Sequence, residues 1–169
     1  NYRFVVVTDS GNAIFEKNAE GNNLVAADAT VTMGRPDLVL AVIASPARST
    51  SGDTVSIQWR VANGATAAAL GVWTDRVFLS ADATVDSADL LFGELPHTGP
   101  LAAGGDYTGQ LAVTLPVEIS GSRFLLVHTD AAGQVNEPGG EANNVAGAAI
   151  EIELAPFADL AMSSVTAPS

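Results

Sequence analysis

A polar segment near the start of the chain returns 121 residues later, and this internal repeat constrains the fold more than any other feature. Residues 8–16 align with residues 129–137 without a gap, with threonine, aspartate and glutamate at the identical positions. The alignment continues through an acid and two asparagines: Glu20, Asn22 and Asn23 return as Glu141, Asn143 and Asn144. A period of this length indicates a repeated domain, whereas the coil of a solenoid repeats over a few tens of residues.

A second match supports the same period. Asp37-Leu38 returns as Asp159-Leu160 at an offset of 122, and each pair is followed by a proline nine residues after its aspartate. Three parts are therefore predicted: C-terminal strands of a preceding repeat at residues 1–34, a complete domain at 35–155, and the first strand of a following repeat at 156–169.

The complete unit has the pattern of short β-strands. Residues 54–61 alternate strictly, with Val55, Ile57 and Trp59 on one face, and a period of two predicts a half-buried strand with Trp59 in the core. Residues 124–127 form a continuous apolar run, typical of a strand inside a sheet. Further strands are predicted at residues 38–43, 77–79, 90–92, 111–115 and 145–154. Strands at this spacing, without helical periodicity, predict an all-β fold: an Ig-like or fibronectin-like antiparallel β-sandwich in tandem repeat.

Charge and composition exclude several partners. The sequence holds 7 Lys and Arg against 19 Asp and Glu, a net charge of -12, so we expect no binding to nucleic acid. Cysteine is absent, which excludes disulfides and thiolate-bound metals. No run of 18 apolar residues exists, so we expect no membrane span. The chain begins at Asn1 with no visible signal peptide, and we expect it to be processed or part of a longer protein.

The complete unit resembles the CARDB family, the cell-adhesion-related domain of bacteria and archaea. The resemblance rests on an ordered series of four stretches, at residues 36–39, 55–63, 73–80 and 129–144. It implies an Ig-like β-sandwich that occurs in tandem on large secreted and surface proteins, and it implies no enzymatic activity. An extracellular or cell-surface location is the corresponding expectation.

Residues 80–89 form an Asp-rich loop, which we name by these bounds. Ca²⁺ takes six to eight oxygen ligands, usually from closely spaced carboxylates and carbonyls. The candidate ligands are Asp75, Asp82, Thr84, Asp86 and Asp89. The alternative is that these aspartates cap turns by accepting hydrogen bonds from backbone N–H groups.

The repeated polar segment, residues 129–144, is named the polar loop. Its polar identities are retained between the two copies while its apolar positions change, which points to fixed hydrogen bonds or to metal ligation. The candidate ligands are Asp130, Glu137, Glu141 and Asn143. A loop held by its own side chains is the favoured interpretation, and a second metal site is the alternative.

Two functions remain open from the sequence. The first is a non-catalytic spacer, stalk or filament unit of a large adhesin-like protein, with calcium as an additional stabiliser. The second is a ligand-binding or carbohydrate-binding accessory module of a secreted hydrolase, which an exposed aromatic platform would favour. An enzyme is not expected, because Glu137 and Glu141 face no evident cleft and neither His97 nor His128 belongs to a nucleophile motif.

The expected partners are neighbouring repeats of the same protein. Residues 4–7 form an apolar strand, and an unpaired apolar edge recruits another chain. We expect either a long filament of repeats, or head-to-tail association in which the N-terminal hairpin of one copy completes a sandwich begun by the C-terminal strand of another. Both place residues 4–7 and Leu160 inside a sandwich.

Overall fold

The computed structural model of this protein describes residues 1–156, 163 and 164. Asp159 and Leu160, which carry the predicted first strand of a following repeat, lie outside the described residues. The chain divides into two units, Asn1–Gly34 and Arg35–Ser169. The assignment of these parts to successive repeats stays a prediction. In the described part of the chain, no helix combines the length and apolar character of a transmembrane segment.

The first unit contains an antiparallel hairpin of two short strands, β1 (Val5–Val7) and β2 (Leu24–Ala26). Val6 pairs with Val25 at its centre. A single 3₁₀ turn, Glu20–Asn22, leads into β2. Every residue of the two strands is exposed, although most of their side chains are apolar. The hairpin therefore presents an apolar surface that its own unit does not cover.

The second unit is built from two β-sheets. Its strands are β3 (Leu38–Ala44), β4 (Arg48–Thr50), β5 (Thr54–Asn63), β6 (Val72–Ser80), β7 (Leu90–Thr98), β8 (Asp106–Thr114), β9 (Gly121–His128) and β10 (Val145–Glu153). Among the described residues they form a three-stranded sheet in the order β3-β5-β8 and a five-stranded sheet in the order β4-β10-β9-β6-β7. Buried side chains of both sheets share one core, so the predicted all-β sandwich is confirmed.

Near the start of the second unit, the chain passes from one sheet to the other between β3 and β4. The sequence did not predict this crossing. β3 pairs with β5 in one sheet, and after Ser45-Pro46 the chain enters β4, which pairs with β10 in the other. Proline lacks the N–H that a ladder needs, so pairing with β5 ends before it. β4 runs parallel to β10, with Ser49 opposite Ile152. Among the described residues, the other paired strands of the two units are antiparallel.

Trp59 fills the core between the sheets, as its alternation predicted. Its side chain is completely buried and belongs to the same buried cluster as Val61, Leu125 and Val127. Gly109 lies directly opposite on β8. A Cβ atom at Gly109 would lie 2.3 Å from the indole ring, so only glycine leaves room for this tryptophan.

Two strands extend further than the apolar runs that predicted them. β6 begins at Val72, and β7 continues to Thr98 although Pro96 lies within it. β7 is an edge strand of the five-stranded sheet. An edge strand tolerates proline because one of its sides makes no ladder hydrogen bonds.

Candidate functional site

Asp130 organises the start of the polar loop. Its backbone adopts φ 47°, in the left-handed region that aspartate tolerates better than most residues. Its two carboxylate oxygens accept hydrogen bonds from the backbone N–H groups of Gln134 at 2.7 Å and Val135 at 2.8 Å. Asp130 is buried, and Val135 packs into the core. The carboxylate therefore folds the loop back onto the sandwich.

Glu137 connects the polar loop to the first strand of the domain. Its Oε1 accepts a hydrogen bond from the backbone N–H of Leu38 at 2.6 Å, and its Oε2 accepts one from Nδ2 of Asn144 at 3.0 Å. The side chain is buried, and this burial raises the pKa of the Glu137 carboxyl above its usual range. We name the bond between Glu137 and Leu38 the strand latch. It fixes the end of a strand 99 residues away in sequence.

The remaining candidate residues of the polar loop support the same connection. Nδ2 of Asn143 donates to Oδ1 of Asp37 at 3.0 Å. Nδ2 of Asn144 also donates to Oε2 of Glu141 at 3.1 Å. The carboxylates of the polar loop are thus used in hydrogen bonds within the domain. The interpretation of a loop held by its own side chains describes this geometry, and a metal site in this loop stays a prediction.

The first unit contains the same loop in its first copy, residues 8–23. Asp9 has φ 42°, and its two oxygens accept from the N–H groups of Ala13 and Ile14, both at 2.8 Å. The backbone N–H of Thr8 donates to the carbonyl of Asn23 at 2.9 Å. The equivalent bond of the second unit has the same length. The two copies of this segment therefore share these hydrogen bonds.

The Asp-rich loop is closed by turn-capping bonds. Oδ1 of Asp82 accepts from the N–H of Thr84 at 2.8 Å, and Oδ1 of Asp86 accepts from that of Ala88 at 2.7 Å. Oδ2 of Asp89 accepts from the N–H of Asp86 at 2.9 Å. No group of three or more His, Asp or Glu side chains within the described part of the chain is arranged to hold a metal ion. Turn capping, the alternative to calcium ligation, describes the geometry of this loop.

Asp75 does not join the other candidate ligands, because it lies in the core. Its Oδ2 accepts from the indole N–H of Trp59 at 2.7 Å, and its Oδ1 accepts from the hydroxyl of Thr129 at 2.6 Å. The Tyr107 hydroxyl donates to the same carboxylate at 2.9 Å. Burial raises the pKa of the Tyr107 hydroxyl, and the negative charge of Asp75 raises it further. The Asp75 carboxylate thus accepts hydrogen bonds from three donors inside the sandwich.

One sequence signal could have identified this network. Trp73, Asp75 and Val77 alternate along β6 and all face the core. A carboxylate at an inward-facing position needs several hydrogen-bond donors, because an unpaired buried charge is strongly destabilising. Two of the three donors, Tyr107 and Thr129, come from more distant parts of the sequence and carry no local signal.

A surface depression lies between the Asp-rich loop and the polar loop. Its lining includes Thr84, His128, Asp130 and Glu141. The structure therefore brings one candidate ligand of the first loop close to two of the second. Burial lowers the pKa of His128, which favours a neutral imidazole at this place.

Both tryptophans are structural. Trp73 is completely buried, like Trp59. Its Nε1 lies 3.0 Å from the Tyr107 hydroxyl. Its ring contacts His97 with centroids 4.4 Å apart, and His97 stacks on Tyr107 at 3.9 Å. The indole rings are unavailable as a stacking surface for a sugar.

Comparisons with known proteins agree with this fold. The sequence model of the CARDB family matches residues 35–148. The crystal structure of the CARDB domain of a Pyrococcus furiosus protein, in complex with di-metal ions, has 18% identity and a TM-score of 0.56, covering 74% of this chain and 100% of that chain. An NMR structure of that domain gives 20% identity and a TM-score of 0.55, covering 73% and 100%.

A larger enzyme contains a weaker match. The β-glucosidase from Listeria innocua, in complex with isofagomine, has 17% identity and a TM-score of 0.48. The match covers 70% of this chain and 16% of the glucosidase. A comparison with curated proteins found no match.

Proposed function

The chain belongs to the CARDB family, and from this premise we propose that it is a non-catalytic spacer module of a large secreted or surface protein of the adhesin type. The observation that carries the proposal is the complete burial of Trp59 and Trp73. A carbohydrate-binding accessory module needs exposed aromatic faces on which sugar rings can stack. Here both indoles are used to hold the two sheets together.

The hydrogen bonding of the polar residues supports the same proposal. A catalytic or binding site needs polar groups that converge on an open space. In this domain the carboxylates of Asp75, Asp130 and Glu137 are buried and bonded to groups of the protein itself. Their chemistry stabilises the sandwich and the connection between its first and last strands.

The position of the terminal strands suits a module that carries load. β4 lies near the start of the domain and β10 at its end, and they are parallel neighbours. A force that pulls the two ends of the chain apart slides these strands along each other and loads their hydrogen bonds together. The ladder includes the N–H of Ser51 bonded to the carbonyl of Glu153 at 2.8 Å and the N–H of Glu151 bonded to the carbonyl of Ala47 at 2.9 Å. The strand latch adds a hydrogen bond between the start of β3 and the polar loop that precedes β10.

An extracellular location and tandem neighbours form part of this proposal. They are supported by family membership and by the structural repeat of the polar loop in residues 1–34. The net charge of -12 suits a protein that stays dispersed and binds no polyanion.

Calcium binding by the Asp-rich loop is the alternative to turn capping. It is supported by the density of carboxylates in residues 80–89 and by the di-metal ions in the structure of the Pyrococcus relative. As folded, one carboxylate oxygen of each of Asp82, Asp86 and Asp89 accepts a backbone hydrogen bond, and no three acidic or histidine side chains among the described residues are arranged around one ion. Binding would require these carboxylates to converge on a single cation.

A binding screen tests the spacer proposal against the accessory-module alternative. The chain is titrated with soluble cellulose, xylan and chitin oligosaccharides in an isothermal calorimeter, and tryptophan fluorescence is followed in parallel. We expect no heat of binding and no spectral change, because both indoles are buried. Saturable binding that quenches tryptophan fluorescence would contradict the spacer proposal.

A further inference from the structure

The surface depression between the Asp-rich loop and the polar loop combines apolar and polar lining residues. Its volume is about 590 Å³, within the range of pockets that accommodate a ligand. Four of the ten described residues that line it are alanine or glycine, whose small side chains leave this space open. Val85 and Val145 add two half-buried apolar side chains. An aliphatic chain that lies along this wall removes apolar surface from water.

A buried amide holds the carboxylate of Glu141 in place at the depression. Nδ2 of Asn144 donates to Oε2 of Glu141 at 3.1 Å and to Oε2 of Glu137 at 3.0 Å, and Asn144 is completely buried. Oε1 of Glu141 accepts no hydrogen bond from the described residues, and the Glu141 side chain is exposed. A carboxylate that is already oriented loses little conformational entropy when it binds a cation.

His128 and Thr84 supply further acceptors without opposing a cation. Burial lowers the pKa of His128, and a neutral imidazole has one nitrogen that accepts a hydrogen bond. The hydroxyl of Thr84 is an acceptor as well. Arg76 lies opposite His128 in the β6–β9 pair, but its Nε donates to Oε1 of Glu94 on β7 at 2.6 Å, so its charge is paired. The described lining of the depression contains no lysine or arginine.

The charge around the depression favours a positive ligand. The Asp-rich loop contains three aspartates, and the polar loop contains Asp130, Glu137 and Glu141, whereas neither loop contains a lysine or an arginine. Such a field attracts positive groups and repels negative ones. Because the chain has a net charge of -12, it also repels a second copy of itself. The complementary partner is therefore a basic protein.

We propose that the depression is a docking site for a lysine side chain of a basic partner protein. The aliphatic stem lies along the alanine and valine wall, and the ammonium group donates to Oε1 of Glu141. Lysine suits the site better than arginine, because the guanidinium fork binds both oxygens of a carboxylate and Oε2 of Glu141 already accepts from Asn144. An ammonium group needs only one carboxylate oxygen and offers its other donors to His128 or Thr84.

An NMR titration of the 169-residue chain with two matched peptides tests the proposal. One peptide is acetyl-Gly-Gly-Lys-Gly-Gly-amide, and the other carries norleucine, which has the same straight stem without the ammonium group, in place of lysine. At low ionic strength we expect the lysine peptide to shift the resonances of Thr84, His128 and Glu141, with saturation in the millimolar range. The norleucine peptide should bind about fivefold more weakly, the upper value for an exposed ion pair.

Two variants separate the contribution of charge from that of shape. Glu141→Gln removes the charge but keeps an oxygen for the bond from Asn144, and it should weaken binding of the lysine peptide by about fivefold. Ala142→Leu places a larger side chain in the lining without a change in charge, and it should weaken binding of both peptides. The exposed Glu118→Gln variant loses the same charge outside the depression. It is the matched control and should bind like the parent.

The fluorescence of the buried Trp59 and Trp73 shows whether each variant is folded. Equal affinity of the two peptides overturns the inference, and so does a lysine peptide that binds folded Glu141→Gln as tightly as the parent. Equal shifts of the same resonances by calcium chloride at matched ionic strength also overturn it, since they indicate a general attraction of cations. Spermidine that binds more tightly than the peptide assigns the depression to a free polyamine and overturns the protein partner. None of these outcomes affects the spacer proposal, which depends on the absence of sugar binding.

Discussion

The indole N–H of Trp59 donates a hydrogen bond to the Asp75 carboxylate at 2.7 Å, and both side chains are completely buried. The two residues come from different sheets, since Trp59 lies on β5 and Asp75 on β6. This polar bond therefore crosses an apolar core. It fixes how the two sheets are aligned, a task that non-directional hydrophobic contacts perform less strictly.

Replacing Asp75 should destabilise the domain strongly. Asp75→Ala leaves the donors of Trp59, Tyr107 and Thr129 without their acceptor, and we expect a loss of about 3 kcal/mol or more in the free energy of unfolding. Urea denaturation followed by tryptophan fluorescence measures it. The exposed Asp82→Ala variant is the control, and we expect it to lose about 1 kcal/mol or less, as for a turn cap. Equal losses in the two variants would contradict a central role for the Asp75 network.

A methyl group at Gly109 should also be costly. The added Cβ would lie 2.3 Å from the Trp59 ring, so Gly109→Ala forces the indole or the strand to move. We expect a loss of about 1–3 kcal/mol, the range for an overpacked core. Gly21→Ala is the matched control, because a Cβ there meets nothing within 4 Å. Thermal unfolding of both variants gives the comparison, and an unaffected Gly109→Ala chain would mean that this close packing is wrong.

The strand latch should make stability depend on pH. The pKa of Glu137 is raised in the folded state, so its protonated form is favoured there. The contribution of Glu137 to the free energy of unfolding is fully present below the ordinary glutamate pKa of 4.5, and it is lost as the pH rises through the higher folded value. Glu137→Gln lacks this loss, so its stability relative to the parent should improve between pH 4 and pH 7. Denaturation at a series of pH values measures the difference, and Glu118→Gln serves as the exposed control. A difference that is constant or falls with pH would contradict the assignment.

Calcium should have little effect on the Asp-rich loop as it is folded. The loop closes through bonds from its own backbone to Asp82, Asp86 and Asp89. After treatment with a chelator, we expect ~1 mM calcium to leave the melting temperature unchanged, because an ion must bind the folded state to stabilise it. The Asp86→Asn variant is the control for a specific effect. A rise in melting temperature that is lost in Asp86→Asn would instead support calcium binding by this loop.

The core of the sandwich could be predicted from the sequence because its signal is local. Val55, Ile57 and Trp59 alternate with polar residues within one strand, and this period of two indicates which face is buried. The polar loop was identified from a sequence repeat, which is also visible without knowledge of the fold. Its internal bonds, such as Asp130 to Gln134, span only a few residues.

The contacts that sequence reasoning missed join residues far apart in the chain. The bond from Leu38 to Glu137 spans 99 residues, and the donors of Asp75 are Trp59 on β5, Tyr107 on β8 and Thr129 directly after β9. Asp75 was assigned to the nearby Asp-rich loop because it is close in sequence, whereas the pleat of β6 turns its side chain into the core. β4 was missed because three residues, stabilised by a parallel partner about one hundred positions away, carry no periodic signal.

Single-molecule force spectroscopy tests the spacer account most directly. The domain is pulled by its two ends, which loads the β4–β10 ladder along the strands, and its unfolding force is compared between two proline variants. Ser51→Pro removes the N–H that donates to Glu153, whereas Ala103→Pro places proline at the second position of a turn, where it is accepted. We predict that Ser51→Pro unfolds at clearly lower force than the parent while Ala103→Pro matches the parent. Equal unfolding forces in all three chains would contradict a load-bearing role for the domain.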